Sequence, residues 1–237
     1  MRATKLVVRV IGQEQHGVPP DPGKEAMVAD DVWPVVHAER RALADDLAAL
    51  TAEQWQTPSL CQGRTVEQTL AHMTATAKMT PPKFLVKMAA AGFRFDRMAD
   101  AEVAAESAGG PAATLERFRA VERSTSGPPG PATSWLGETL VHAEDIRRPL
   151  RLVRTYSTDA VTRVIDFYAG SNLLIGGKRR VAGLTLRATD TDWSRGSGPV
   201  VEGPAMALLM AAAGRRAAVA DLGGPGLETL RTRMTNP

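Results

Sequence analysis

From Asp31 onward the chain carries stripes of apolar residues at helical spacing, separated by loop signals. Val32, Val35, Val36, Leu43, Leu47 and Leu50 recur at three-, four- and seven-residue intervals, while Glu39–Arg41 and Asp45–Asp46 take other faces; this predicts a first amphipathic helix. Thr51-Ala52-Glu53-Gln54 has the form of a capping box, and Pro58 and Gly63 mark a loop. Thr65 is placed to cap a second helix, which runs through Val66, Leu70 and Met73 until Pro81-Pro82 bends or breaks it. Residues 83–106 are again helix-like, and after Gly109-Gly110-Pro111 a short helix is expected from Ala112 to Arg123. Residues 124–131 read as a loop. Thr133 or Ser134 then caps a helix to about Arg148, stopped by Pro149. Polar outer faces and short connections predict an antiparallel four-helix bundle over residues 31–150.

Past Arg154 the pattern changes. Ser157 or Thr158 caps a helix from Asp159 to about Leu174, and residues 182–189 alternate apolar and polar as a half-buried strand does. Residues 190–198 read as a turn and Val200–Glu202 as a second strand. Pro204 is placed at the first position of an Ala/Leu/Met helix ending near Gly214, and a last helix spans about Leu227–Met234. Residues 151–237 are therefore expected to form a small α+β domain, giving an α+β chain overall. Residues 1–30, Gly/Pro-rich in their second half, read as a leader of uncertain order.

Composition narrows the chemistry. One cysteine, Cys61, excludes an intramolecular disulfide and a Cys-built zinc or iron–sulfur site. The apolar run near the N-terminus is interrupted by Arg9, unlike a signal peptide, and the run Ala205–Ala213 falls far short of the ~20 residues that span a bilayer. A cytoplasmic location is expected. Net charge is +3, unevenly spread: residues 1–145 carry 15 basic and 19 acidic residues, and residues 146–237 carry 14 basic and 7 acidic. The basic third fits an anionic ligand, but no aromatic-interleaved or helix-turn-helix pattern accompanies it, so nucleic acid is not expected as a partner.

Four histidines are present: His16, His37, His72 and His142. In Gly137-Glu138-Thr139-Leu140-Val141-His142, Glu138 and His142 stand four apart on a predicted helix, so they share a face and can chelate one divalent ion. His72 lies among apolar neighbours on the second helix and faces the bundle core. If these helices pack together, His72, Glu138 and His142 form a His₂Glu set with one tetrahedral position open. Spacing alone also allows a Glu–His hydrogen bond without metal. His16 and His37 read as structural or exposed, Cys61 as a small packing residue, and Trp55, Trp135 and Trp193 as core anchors. Asp145 either orients His142 or pairs with an arginine, and a plain intrahelical ion pair accounts for it equally well.

The stretches ERRALADDLAALTAEQW (39–55), PSLCQG (58–63), TVEQTLAH (65–72) and GETLVHAEDIRRP (137–149) resemble the mycothiol-dependent maleylpyruvate isomerase family. RATDTDWS (187–194), VEGPA (201–205) and AGR (213–215) resemble the smaller C-terminal domain of that family. The resemblance implies a DinB-like four-helix bundle followed by a sterol-carrier-like α+β domain, and zinc held by His72, Glu138 and His142. It also implies mycothiol as thiol cofactor. The sequence departs from the family at Arg64, where a Trp is usual, and at Glu67 or Gln68, where an Asp is usual.

The expected function is that of a zinc-dependent enzyme using mycothiol for isomerisation or S-transfer on a small electrophile. Arg215 or Arg216 would meet an anionic substrate as the catalytic arginine, or simply complement a helix end. A non-catalytic small-molecule-binding or stress-associated DinB-like protein is the alternative.

Overall fold

The computed structural model describes residues 31–172 and 175–235. The leader with His16, and the far end of the helix expected to reach Leu174, lie outside the described residues. Residues 32–237 form one compact unit.

Helix α1 (Trp33–Leu47) is followed by a single turn, α2 (Ala52–Trp55), which Thr51 and Gln54 close with a capping box. Thr65 and Gln68 make a second capping box at the start of α3 (Val66–Lys78). Each box satisfies backbone N–H groups that the first turn leaves unpaired. The two prolines start a new helix rather than bend an old one: α3 stops at Lys78, and α4 (Pro81–Ala90) begins with Pro at its first positions, where no N–H is needed. The helix-like stretch 83–106 is helical in two pieces, because Gly92 and Phe93 adopt left-handed backbone between α4 and α5 (Phe95–Glu106). Helix α6 spans Gly110–Ala120.

Helix α7 (Ala132–Arg147) starts before both expected caps. Pro131 occupies the N-cap, and Ser134, already inside, turns its hydroxyl back to the Pro131 carbonyl at 2.5 Å. Helices α1, α3, α6 and α7 form the bundle, and α5 packs on α3.

The remaining elements build on the far side of α7. Helix α8 (Thr158–Gly170), capped by the Ser157 hydroxyl, ends at Gly170, earlier than expected. There the chain turns back, and the short α9 (Gly177–Val181) lies against it; a side chain at Gly177 would meet the Tyr168 carbonyl at 2.6 Å. A three-stranded sheet of order β2-β1-β3 follows. Strand β1 (Thr185–Ala188) pairs antiparallel with β2 (Ser194–Gly196) and parallel with β3 (Val200–Gly203). Strand β2 lies in the region read as a turn. Its three residues are all exposed, so no apolar alternation announces it.

Helix α10 (Ala205–Ala212), with Pro204 as N-cap rather than first residue, is buried nearly all round. A 3-10 helix (Arg216–Asp221) and α11 (Leu227–Thr235) complete the chain. The apolar core is continuous across residue 150: Val36, Leu136 and Leu140 of the bundle join Val164, Ile165, Val201 and Leu208 in one cluster. A second cluster, with Leu43, Leu70, Phe118 and Ile146, fills the other part of the bundle. Among the described residues no helix is long and apolar enough to cross a membrane.

Gly137 fixes how closely α8 approaches the start of the Glu138–His142 motif. A Cβ there would strike the Tyr168 hydroxyl and ring and the Val164 side chain. Gly137→Ala is expected to lower stability by about 1–3 kcal/mol through overpacking, measured by urea unfolding; an unchanged midpoint would contradict this contact.

Candidate metal centre

Helices α3 and α7 bring the three expected ligands together. One ligand atom from each of His72, Glu138 and His142 lies within 4.8 Å of the others. The two imidazoles meet edge to face, with centroids 4.9 Å apart and planes at 77°. Glu138 and His142 share a face because they are one helical turn apart, and His72 comes from the helix packed against that face.

The electrostatics of the three differ. Burial, then the charges of His142, Arg64 and Arg215, hold His72 well below the ordinary histidine range, so it is neutral and has a lone pair to give. Burial also raises the Glu138 carboxyl. Its Oε1 is buried and has no hydrogen-bond partner. An unpaired buried carboxylate oxygen costs free energy unless something compensates it, and it points to a missing electrophile. Burial disfavours charge on His142 too, but its bond to Asp145, its contact with Cys61 and the charges of Asp145 and Glu138 outweigh this and raise it to about 9.

Asp145 therefore orients the histidine. Its Oδ2 lies 2.9 Å from His142 Nδ1, leaving Nε2 as the ring nitrogen for a metal. Asp145 also accepts two bonds from an arginine, but from the distant Arg215, Nε at 2.9 Å and Nη2 at 2.7 Å, rather than from the adjacent Arg147 or Arg148. Asp145 is fully buried, and these partners, against the burial, keep its carboxyl below its usual value. The neighbouring arginines go elsewhere, Arg147 to Asp46 and Tyr156, Arg148 to Glu144 and Asp221.

Arg215 reaches this position through a helix end. Gly214, at φ +88°, terminates α10, its N–H donating to the Ala211 carbonyl while Arg215 N–H donates to Met210. This is a Schellman turn, which needs a left-handed residue where glycine stands. Arg215 thus braces Asp145 through Nε and Nη2, while its Nη1 donates to the Ala213 carbonyl. Arg216, the other candidate, is exposed at the start of the 3-10 helix.

Cys61 is nearer the chemistry than a packing residue. Its sulfur forms a second cluster with His142 and Asp145 within the same 4.8 Å limit. The Leu60 N–H donates to the Asp145 carbonyl at 3.0 Å, docking the 58–64 loop on α7. Burial would raise the Cys61 thiol, but His142 and Arg64 bring it below its usual value. Trp135 lines a cavity rather than the core, whereas Trp55 is buried and Trp193 packs at the core edge. His37 stacks on Trp33, centroids 6.1 Å apart, and belongs to neither ligand cluster. Of the departures from the family pattern, Arg64 and Gln68 line a cavity with His72. Glu67 instead turns inward to Gln56 and Thr114.

A proton on His142 competes with a metal for the ring. Zinc affinity of the metal-free protein is therefore expected to rise with pH and level off at about 9. Asp145→Asn lowers that levelling point and costs roughly 10–100-fold in affinity. Chelator competition across pH checks both; a pH-independent affinity would contradict them.

The family model for the mycothiol maleylpyruvate isomerase N-terminal domain matches residues 36–128. No curated protein matches the chain by sequence. Among solved structures, a histidine-to-alanine mutant of the mycothiol-dependent maleylpyruvate isomerase is similar at 17% identity and TM-score 0.56, covering 83% of this chain and 92% of that one. A second crystal structure of that isomerase is similar at 16% identity and TM-score 0.48, over 79% and 89% of the two chains. Identity this low speaks for the fold, and the first of these shows the same helical bundle with a small α+β part. The sequence likeness to that family model thus covers residues 36–128, most of the helical part of the chain.

Proposed function

We propose that this chain is a zinc-dependent enzyme that uses mycothiol for isomerisation or S-transfer on a small electrophile. The observation that carries this reading is the partnerless, buried Oε1 of Glu138 between two histidines. A carboxylate and two imidazoles suit zinc, and three protein ligands leave a position open, as catalytic zinc sites do. When bound, the ion supplies a Lewis-acidic position that favours the deprotonated, nucleophilic form of a thiol at neutral pH.

The protein's own residues do the rest. His72, neutral in its buried setting, offers a ligand atom without first losing a proton to solvent. Asp145 holds Nδ1 of His142 and so fixes the ring. Arg215 holds Asp145 in turn, and therefore acts on the centre as a positioning residue. The cavity of about 800 Å³ beside His72, lined by Gln62, Arg64, Gln68, Asp96 and Asp100, offers a polar thiol cofactor hydrogen-bonding groups. The single cysteine fits a reducing compartment, the cytoplasm.

The test is calorimetric titration of mycothiol into zinc-loaded and chelator-stripped protein. Binding to the loaded form alone is expected. Equal binding to both forms, or to neither, would overturn the reading.

A further inference from the structure

The ligand cluster stands where two cavities of different chemistry meet, and His72 lines both. The larger cavity has a mixed lining, in which Gln62, Arg64, Gln68 and Asp100 stand beside Phe95 and Val103. The smaller, about 290 Å³, reaches Glu138 and His142 and is walled by Phe84, Phe95, Trp135, Val141 and Tyr168. An apolar cavity of about 150 Å³ accepts benzene, so this one has room for a substituted ring. Aromatic walls favour a flat, polarisable guest through offset or edge-to-face contact.

Charge points the same way. Among the described residues lining the smaller cavity, Arg215 is the one arginine or lysine, and its Nε and Nη2 are held by Asp145. The pair carries no net charge. Asp145 is fully buried, so solvent screens the pair little and its carboxylate offsets much of the arginine's attraction for an anionic guest. Tyr168, the remaining acid–base group on the wall, stays protonated, its hydroxyl raised by burial and by Glu138.

Resting on the zinc–thiol reading, we infer that the smaller cavity takes a neutral, apolar electrophile, aromatic or conjugated, and not a dicarboxylate. The electrophile and the polar thiol would then approach the centre from two chambers, the thiol from the one that carries the charged and amide side chains.

The experiment uses 1,3-dinitrobenzene, a neutral and unreactive ring that quenches tryptophan, titrated into the zinc-loaded full chain. Saturable quenching is expected, mostly lost in Trp135→Phe. Ala213→Leu narrows the cavity and should weaken binding by at least about tenfold, since overpacking costs of this order follow added methylenes. Both variants should keep the zinc content of the parent, which reports that they are folded. Maleate, a dianion, should leave the titration unmoved. Maleate competition, or no saturable quenching in protein that still binds zinc and mycothiol, would overturn the inference. If quenching saturates while zinc and mycothiol both fail to bind, the cavity assignment stands and the enzymatic reading falls.

Discussion

His142→Ala is expected to lower zinc affinity by well over the roughly 10–100-fold that loss of an outer hydrogen-bond partner costs. His142 is where the arrangement converges: it stands 4.9 Å from the His72 ring, centroid to centroid, one helical turn from Glu138, and 2.9 Å from Asp145. Without it, His72 and Glu138 remain as two ligands, too few to close a zinc site. The variant should stay folded, because Asp145 keeps both bonds from Arg215. His37→Ala is the control, since His37 stacks on Trp33, belongs to neither ligand cluster and should leave zinc affinity unchanged. Chelator competition on the two variants measures the effect, and equal affinities would contradict the assignment.

The second large effect falls on stability. Arg215→Ala is expected to destabilise the fold by about 1–3 kcal/mol, because the buried Asp145 loses two charge-assisted bonds and keeps His142 as its side-chain partner. Asp145 is fully buried, and Arg215 is only 18% exposed, so solvent screens the pair little. Adding Asp145→Asn to Arg215→Ala removes the under-compensated buried charge and should restore part of the loss. Urea unfolding of the single and double variants decides this. A double variant no better than the single one would mean that Arg215 supports the fold by packing rather than by its bonds to Asp145.

Much of this centre could be read from the sequence, and the reasons are local. The Glu138/His142 spacing follows from helical geometry, and the capping residues Thr51 and Thr65 fall where their backbone demands require them. The bundle helices follow from apolar periodicity alone. Other features depend on contacts between distant segments. The 58–64 loop brings Cys61 to His142 through a backbone bond from Leu60 to Asp145, eighty-five positions away, which no periodicity encodes. Asp145 could be suspected of orienting His142, but its second partner lies seventy residues on, at a helix end whose glycine gave the only local hint. Strand β2 escaped notice because all three of its residues face solvent. Trp135 was read as a core anchor because a large aromatic on a helix looks the same from sequence whether it faces core or cavity.

The most direct measurement is anomalous diffraction at the zinc edge from crystals of zinc-loaded protein. One peak per chain is expected at about 2.0–2.2 Å from nitrogen atoms of His72 and His142 and an oxygen of Glu138. A peak held instead by Cys61, His142 and Asp145, or no peak at either cluster, would contradict the account.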